Sequence, residues 1–321
     1  MPRAFVTGIT GQDGSYLSEQ LLAQGWDIHA LVREGTRTDE QPVHDRIAEH
    51  VGDLSDLTGL VRILDEVEPD VVFNLGGISS VATSWDEPAA TGRVSGVSVV
   101  AMLDASLRLQ ERWGKEVRFV QASSSEIFGD ADVAPQSELT PLRPISPYGL
   151  AKAYAHQAVG IYRAKGLFAS SCILYNHESP RRPRAFVTRK ITAGAAEIVL
   201  GKSDRLMLGN LDVKRDWGWA PDYVDALVRA AAAPSPADYV IATGAAHSVR
   251  EFVAAAFNAV GISDWEPFVG IDARFMRPAD SHEMRGDPSE ALNLLGWKPT
   301  VEFDEVVARM AKHDLDLITV Q

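Results

Sequence analysis

The stretch Thr7-Gly8-Ile9-Thr10-Gly11-Gln12-Asp13-Gly14 constrains the fold more than any other part of the chain. It joins a β-rich run, Ala4–Thr7, to a segment of helical spacing, Gly14–Gln24, that Gly25 stops. Glycines three apart permit a tight turn and let the backbone come close to a phosphate group. A helix opening there offers unpaired N–H groups and the positive end of its dipole. A plain strand-to-helix connection has the same outline, so this turn alone leaves phosphate binding open.

The rest of the N-terminal half repeats the alternation. Asp27–Val32, Asp70–Leu75, Val117–Ala122 and Phe168–Leu174 read as strands. Leu57–Val67, Val97–Leu109 and Tyr148–Lys165 read as helices between them, and a short apolar stretch near Val51 leads into Gly52-Asp53-Leu54. This pattern predicts an α/β fold with a doubly wound parallel sheet, Rossmann-like, over residues 1–174. After Leu174 the texture changes, and residues 175–321 read as a smaller mixed α/β substrate-binding lobe. A helix at Phe186–Leu200 and short strands at Arg205–Leu208 and Val213–Trp217 are expected there. So is a strand near 238–243 that returns to the main sheet. Ser248-Val249-Arg250-Glu251 fits a capping box ahead of a helix through Val260.

In open sheets of this kind the carboxyl ends of the strands line the active crevice. One strand ends there in Gln121-Ala122-Ser123-Ser124-Ser125-Glu126, which supplies hydroxyls and a carboxylate. Tyr148 and Lys152 stand four apart at the start of a helix, hence on one face. An ammonium near a phenol lowers the phenol's pKa, so Tyr148 is expected to take a proton near neutral pH. The second strand ends in Val32-Arg33-Glu34. Arginine at that position suits a ribose 2′-phosphate, so NADP is favoured, with Glu34 leaving NAD open.

The formal net charge is −13, which argues against a nucleic-acid or membrane-surface binder. On so acidic a chain, Arg181, Arg182, Arg184, Arg189 and Lys190 within ten residues call for an anionic ligand, and guanidinium forks suit phosphate. The single cysteine, Cys172, excludes an intrachain disulfide framework and favours the cytoplasm. Histidines 44, 50, 156, 247 and 282 show no metal-ligand spacing, so no metal is expected.

Taken together these motifs resemble the extended short-chain dehydrogenases, and within them the GDP-mannose 4,6-dehydratases. Gly8 to Leu17 resembles that family's cofactor turn, Gln121 to Gly129 its hydroxyl–glutamate segment, and Ser146 to Lys152 its tyrosine–lysine helix. More specific are Asn176-His177-Glu178-Ser179-Pro180-Arg181-Arg182, Phe186-Val187-Thr188-Arg189-Lys190 and Gly209-Asn210-Leu211-Asp212-Val213-Lys214-Arg215-Asp216-Trp217-Gly218.

The resemblance implies catalytic roles for Ser124, Glu126, Tyr148 and Lys152. It implies cofactor contacts from the glycine turn (Gly8, Thr10, Gly11, Gln12, Asp13, Gly14) and from Arg33, Asp53, Leu54, Leu75, Gly76, Gly77, Ser123, His177 and Arg182. It implies that Ser79, Asn176, Val187, Lys190, Arg215, Arg277 and Asp280 hold a nucleotide-diphosphate hexose, and that the chain forms a homodimer or homotetramer. Four departures stand out. Ser124 replaces the family's usual threonine, Arg33-Glu34-Gly35-Thr36 its Arg-Arg-Ser-Ser, and Leu75-Gly76-Gly77-Ile78-Ser79 its Leu-Ala/Gly-Ala-Gln-Ser. Asp280 stands where the family has a glutamate. A 4-epimerase or 4-keto-reductase of the same fold, or a cofactor-binding regulator without turnover, are the competing readings. Glu126 separates them, since only dehydration needs that carboxylate.

Overall fold

A computed structural model of the protein describes residues 1–35 and 43–320; Thr36 lies outside them. Seven parallel strands form the central sheet. Six are β1 (Arg3–Thr7), β2 (Asp27–Val32), β3 (Ala48–Val51), β4 (Val71–Asn74), β5 (Arg118–Ala122) and β6 (Phe168–Leu174). The seventh, Asp238–Ile241, pairs with β6 in the parallel sense. Across the sheet the order is Asp238–Ile241, β6, β5, β4, β1, β2, β3. The chain therefore reverses direction across the sheet between β1 and β4, and a crevice opens there at the carboxyl edge.

The period-2 alternation of the strands sorts their side chains onto two faces. Phe5, Val72, Phe119 and Ala169 lie level on one face. They pack under three helices on that side: α2 (Leu57–Val67), α5 (Ser98–Trp113) and α6 (Pro147–Ala164). Two short helices, α3 (Val81–Asp86) and α4 (Pro88–Gly92), and a π turn at Arg93–Val97 lead into α5. Val6, Phe73 and Val120 face the other way, toward α1 (Gln12–Ala23) and the helix Ala220–Ala232. Helix α1 begins two residues earlier than its apolar spacing suggests. Gly11 sits in extended backbone as its N-cap, so helical geometry starts at Gln12.

The C-terminal lobe has its own core, in which the helices Val187–Val199, Val249–Ala259 and Phe303–Val320 meet. Ser248 and Glu251 form the capping box of the second of these. The segment 213–217 is not one strand, contrary to expectation. Lys214–Arg215 pairs with His247–Ser248 and Glu283–Met284, whereas Trp217–Trp219 pairs with Asn176–Glu178. The break falls at Asp216, whose buried carboxylate accepts from Thr243 N (2.8 Å), Thr243 Oγ1 (2.7 Å) and Gly244 N (2.9 Å). Trp217 is core, edge-on to Phe252.

A buried ion pair locks this lobe. Arg189 Nε donates to Asp314 Oδ1 at 2.6 Å, and Thr192 Oγ1 donates to Asp314 Oδ2 at 2.6 Å. Removing one partner leaves the other charge buried and uncompensated. Asp314→Ala is therefore expected to cost about 3–5 kcal/mol of stability. The check is a lower urea midpoint with an unchanged slope.

Candidate active site

The glycine turn sits at the mouth of the crevice. Gly8 has φ +75°, and a Cβ there would stand 2.8 Å from the backbone N of Gly76, beyond β4. Neither a side chain nor its strain is tolerated at that point. Gly11 N donates to Gly8 O at 3.0 Å and closes the turn, and a Cβ on Gly14 would collide with the Gly8 carbonyl. The first-turn N–H groups of α1 have no intrahelical acceptors and point from the turn. Leu75, Gly76 and Leu54 pack beside it, and Gly77 borders Ser95.

At the neighbouring strand ends, Asp53 Oδ1 accepts from Ser55 N (2.7 Å) and Ser55 Oγ (2.6 Å). Those two bonds, with the charge of Arg33, hold its carboxyl below the usual range. Arg33 and Asp53 thus share one locality at the ends of β2 and β3.

Asp13, in the first turn of α1, meets His177 Nε2 at 2.9 Å. His177 Nδ1 faces the Tyr175 carbonyl at 2.7 Å, and the ring stacks on Tyr223 with centroids 4.6 Å apart. Both ring nitrogens face oxygen acceptors, so the imidazolium is the form that satisfies them. Burial opposes that charge, but Asp13's charge and hydrogen bond outweigh it and hold His177 above its ordinary value. Gln12 ties the same segments together: its Nε2 donates to His177 O (3.1 Å) and its Oε1 accepts from Ser179 Oγ (2.8 Å).

Helix α6 delivers the tyrosine and the lysine. Ser146 caps it, accepting from Gly149 N at 3.0 Å, and Pro147 occupies its first turn. Gly149 lets the helix end lie against the turn Ser125–Ile127, since a Cβ would stand 2.5 Å from Glu126 O. Tyr148 and Lys152 are both buried. Lys152 Nζ donates to the Ala122 carbonyl at 2.7 Å and lies 5.9 Å from the Tyr148 ring centroid. Ser124, at the end of β5, lies near enough to Tyr148 to pull its pKa down and accepts from Glu126 N at 3.3 Å.

The expected lowering of the Tyr148 pKa is not what this arrangement gives. Burial pushes its hydroxyl up to about 12; Ser124 pulls the other way and the nearby Glu126 charge adds to the rise. Burial also pushes Lys152 down, to about 8, with Asp13 opposing. A low-dielectric site favours the neutral form of each.

On the lobe side, Glu126 Oε1 accepts from Arg277 at 3.4 Å. Asp280 meets Arg277 at 3.5 Å and also pairs with the buried Arg215, which donates to Ser281 O at 3.0 Å. Lys190 Nζ lies over the Phe275 ring, 3.2 Å from its centroid. Asn176 heads the short strand that pairs with Trp217–Trp219, and Ser79 and Val187 are exposed.

The basic cluster does not act as one clamp. Arg181 pairs with Glu19 at 2.6 Å, Arg184 with Glu197, and Arg189 with Asp314. Arg182 is the member turned toward the crevice residues: it stacks over Phe186 beside Glu178 at 3.3 Å, and its charge is felt by Asp13 and Tyr148. Glu178, Asn74 and Gln121 carry no signal in the sequence beyond lying in or near the quoted runs, yet all three are buried around this site.

A glycine turn at the switch point of a doubly wound parallel sheet, with tyrosine and lysine on the same crevice, defines a short-chain dehydrogenase/reductase of the extended type. Within that class the chain belongs to the GDP-mannose 4,6-dehydratase family, whose model, described as GDP-mannose 4,6 dehydratase, matches residues 5–310. It is 43% identical to GDP-mannose 4,6 dehydratase 1 of Arabidopsis thaliana, over 98% of this chain and 90% of that protein. It is 42% identical to the Homo sapiens GDP-mannose 4,6 dehydratase, over 98% of this chain and 92% of that one. Among solved structures, the Thermus thermophilus UDP-glucose 4-epimerase in complex with NAD is similar, with a TM-score of 0.82 and 27% identity over 97% of this chain and 98% of that one.

The depressed Lys152 has a stability consequence with a definite sign. Between about pH 8 and 10.5 the unfolded chain binds a proton at Lys152 that the folded cofactor-free protein does not. Its contribution is fully present above 10.5 and is lost as pH falls through 8. The stability of the cofactor-free protein relative to Lys152→Met should therefore rise across that window, by at most about 3 kcal/mol. Paired thermal melts at pH 7.5 to 10.5, roughly the span of the two titrations, measure it.

Proposed function

We propose that this protein removes water from GDP-mannose to give GDP-4-keto-6-deoxymannose through an internal oxidation and reduction. One arrangement carries the reading: the Glu126 carboxylate, which accepts from Arg277 at 3.4 Å, stands two residues from Ser124 at the edge where Tyr148 is buried, and its charge adds to the rise of the Tyr148 pKa. An epimerase or reductase on this fold has no use for that carboxylate. The family relationship supports guanine and mannose, which charge alone does not select.

The crevice suits a nicotinamide dinucleotide. Gly8 lies against the Gly76 backbone where any Cβ would collide, which leaves the backbone of the turn bare, and Ser123 Oγ is buried without a hydrogen-bond partner. In this reading Gly8, Thr10, Gly11, Gln12, Asp13 and Gly14 hold the diphosphate, with Asp53, Leu54, Leu75, Gly76, Gly77, Ser123, His177 and Arg182 around it. Arg33 favours NADP over NAD, although the Thermus epimerase was solved with NAD. When bound in its oxidised form, the nicotinamide supplies a hydride acceptor for C4, a hydride donor for C6 and a positive charge beside the phenol.

The chain's own residues move the protons. Tyr148 takes the proton of the sugar 4-hydroxyl, whose oxygen Ser124 holds, and Lys152 supports the phenolate. The 4-ketone acidifies the C5 hydrogen. Glu126 removes that proton and assists departure of the 6-hydroxyl as water; once C6 is reduced, a proton is restored at C5. Such proton transfers are each worth about 10²–10⁴-fold. Arg215 and Arg277 receive the diphosphate, with Asn176, Lys190, Val187, Ser79 and Asp280 around the nucleotide and sugar.

Residues 1–174 serve the cofactor and 175–321 the substrate, with Asp238–Ile241 as the returning strand. Association into a homodimer or homotetramer is supported by Leu150, Tyr154 and Ile161, exposed along one side of α6. No helix among the described residues is long and apolar enough to cross a membrane. The free, buried Cys172 suits a cytoplasmic setting.

A second reading, 4-epimerisation, is favoured by the likeness to the Thermus epimerase. Mass separates the two. Incubation with GDP-mannose and catalytic NADP should yield a product lighter by one water, with no build-up of reduced cofactor; an unchanged mass means epimerisation. Glu126→Gln should still reduce bound cofactor and fail to lose water, and full dehydration by that variant removes Glu126 from the mechanism.

A further inference from the structure

Behind the crevice runs a buried chain of hydrogen bonds that the mechanism above does not use. Gly76 N donates to Thr7 Oγ1 at 2.9 Å, and Thr7 Oγ1 donates to Asn74 Oδ1 at 2.6 Å. Asn74 Nδ2 donates to Gln121 Oε1 at 2.8 Å, and Gln121 Nε2 donates to the Ala122 carbonyl at 2.8 Å. That carbonyl also accepts Lys152 Nζ at 2.7 Å. Thr7, Asn74 and Gln121 are at most 1% exposed. Every donor in the chain points the same way, toward Ala122 O. Both side-chain amides are thereby fixed in orientation, because flipping either one would set donor against donor or acceptor against acceptor.

The chain crosses the carboxyl ends of β1, β4 and β5 in their order in the sheet. One end is Gly76, against the glycine turn; the other is the lysine beside Tyr148. Ala122 O has two lone pairs, and Gln121 takes one of them. The positive end of the Gln121 amide dipole therefore shares the carbonyl with the ammonium and limits how far Nζ can be drawn into it. The other groups facing Lys152 are the Tyr148 phenol on its own helix and the Asp13 carboxylate on α1.

We propose that Gln121 is a positioning residue for Lys152: held by Asn74 and Thr7, its amide sets where the ammonium stands between the Ala122 carbonyl and Tyr148. This rests on the reading of Lys152 as support for the Tyr148 phenolate. Without the amide the carbonyl is left wholly to the ammonium, which retreats from the phenol, and the phenolate loses support. The tyrosine–lysine pair then needs a higher pH to give up its proton.

The test uses holoenzyme with its bound nicotinamide, mixed with GDP-mannose in single turnovers over a range of pH, following the near-ultraviolet absorbance of the reduced cofactor. Gln121→Met keeps the volume and removes both hydrogen bonds; Gln121→Glu puts a carboxylate near the ammonium. Lys152→Met is the reference, and cofactor content and melting temperature are recorded for each. The expected result is a rate of cofactor reduction lowered about tenfold or more and an acid limb moved up by about one pH unit, larger for Glu than for Met. The GDP-mannose KM should change less than about threefold. Should Gln121→Glu fail to fold, Gln121→Met decides alone. A Gln121 variant that melts earlier yet keeps the parent rate and pH profile overturns the proposal, because its role is then structural. If Lys152→Met itself keeps the parent rate, the reading of the site fails first, and the positioning role with it.

Discussion

The contact between Gly8 and Gly76 is the constraint on which the site depends. Two backbone segments, one leaving β1 and one leaving β4, pass closer than any side chain allows. That approach lets neighbouring strands end level and their chains diverge, which opens the crevice at the point where the sheet order reverses. It also brings Gly76 N onto Thr7 Oγ1 and starts the polar chain that ends on Lys152. A Cβ at Gly8 would shift β1 against β4 and, through them, both the N-terminal end of α1 and the lysine.

Around that contact the protein manages charge by burying opposite partners together. Asp13 would repel a diphosphate at the N-terminus of α1, but His177 faces it as an imidazolium. Glu178 holds Arg182 on the face of Phe186, with Thr188 Oγ1 donating to the same carboxylate at 2.6 Å. Arg215 is buried against Asp280. Pairs of this kind are weak sources of net stability but costly to break, because either charge alone is stranded in a low dielectric. Their effect here is to fix cations in place on a chain of net charge −13. Burial meanwhile moves Tyr148 up and Lys152 down, so the phenol and the amine are each pushed toward their neutral form.

Local pattern carried much of the fold. The strands Asp27–Val32 and Phe168–Leu174 and the helix Leu57–Val67 have the ends their period and turn residues suggest. The capping box at Ser248 forms as written, because its bonds span three residues. The pattern misled where a distant partner intervened. Asp216 reads as one residue of a strand, yet its carboxylate binds the backbone of Thr243 and Gly244 and splits the segment between two sheets. The arginine-rich run reads as one anion site, yet Arg189 is bound to a residue 125 positions away and Arg181 to one on α1.

By itself the sequence determined the main alternation of strands and helices over residues 1–174, the turn that only glycine can make, and the i, i+4 placement of Tyr148 and Lys152, because these follow from backbone geometry over a few residues. It also named the chemistry at the crevice, hydroxyl, carboxylate, phenol and amine, since residue type is chemistry. Only the tertiary structure decided which charges are spent on one another, which way two buried amides point, and how far burial moves the phenol and the amine. Those depend on distances between parts of the chain remote in sequence and on how completely packing excludes water, and neither is a property of any local run of residues.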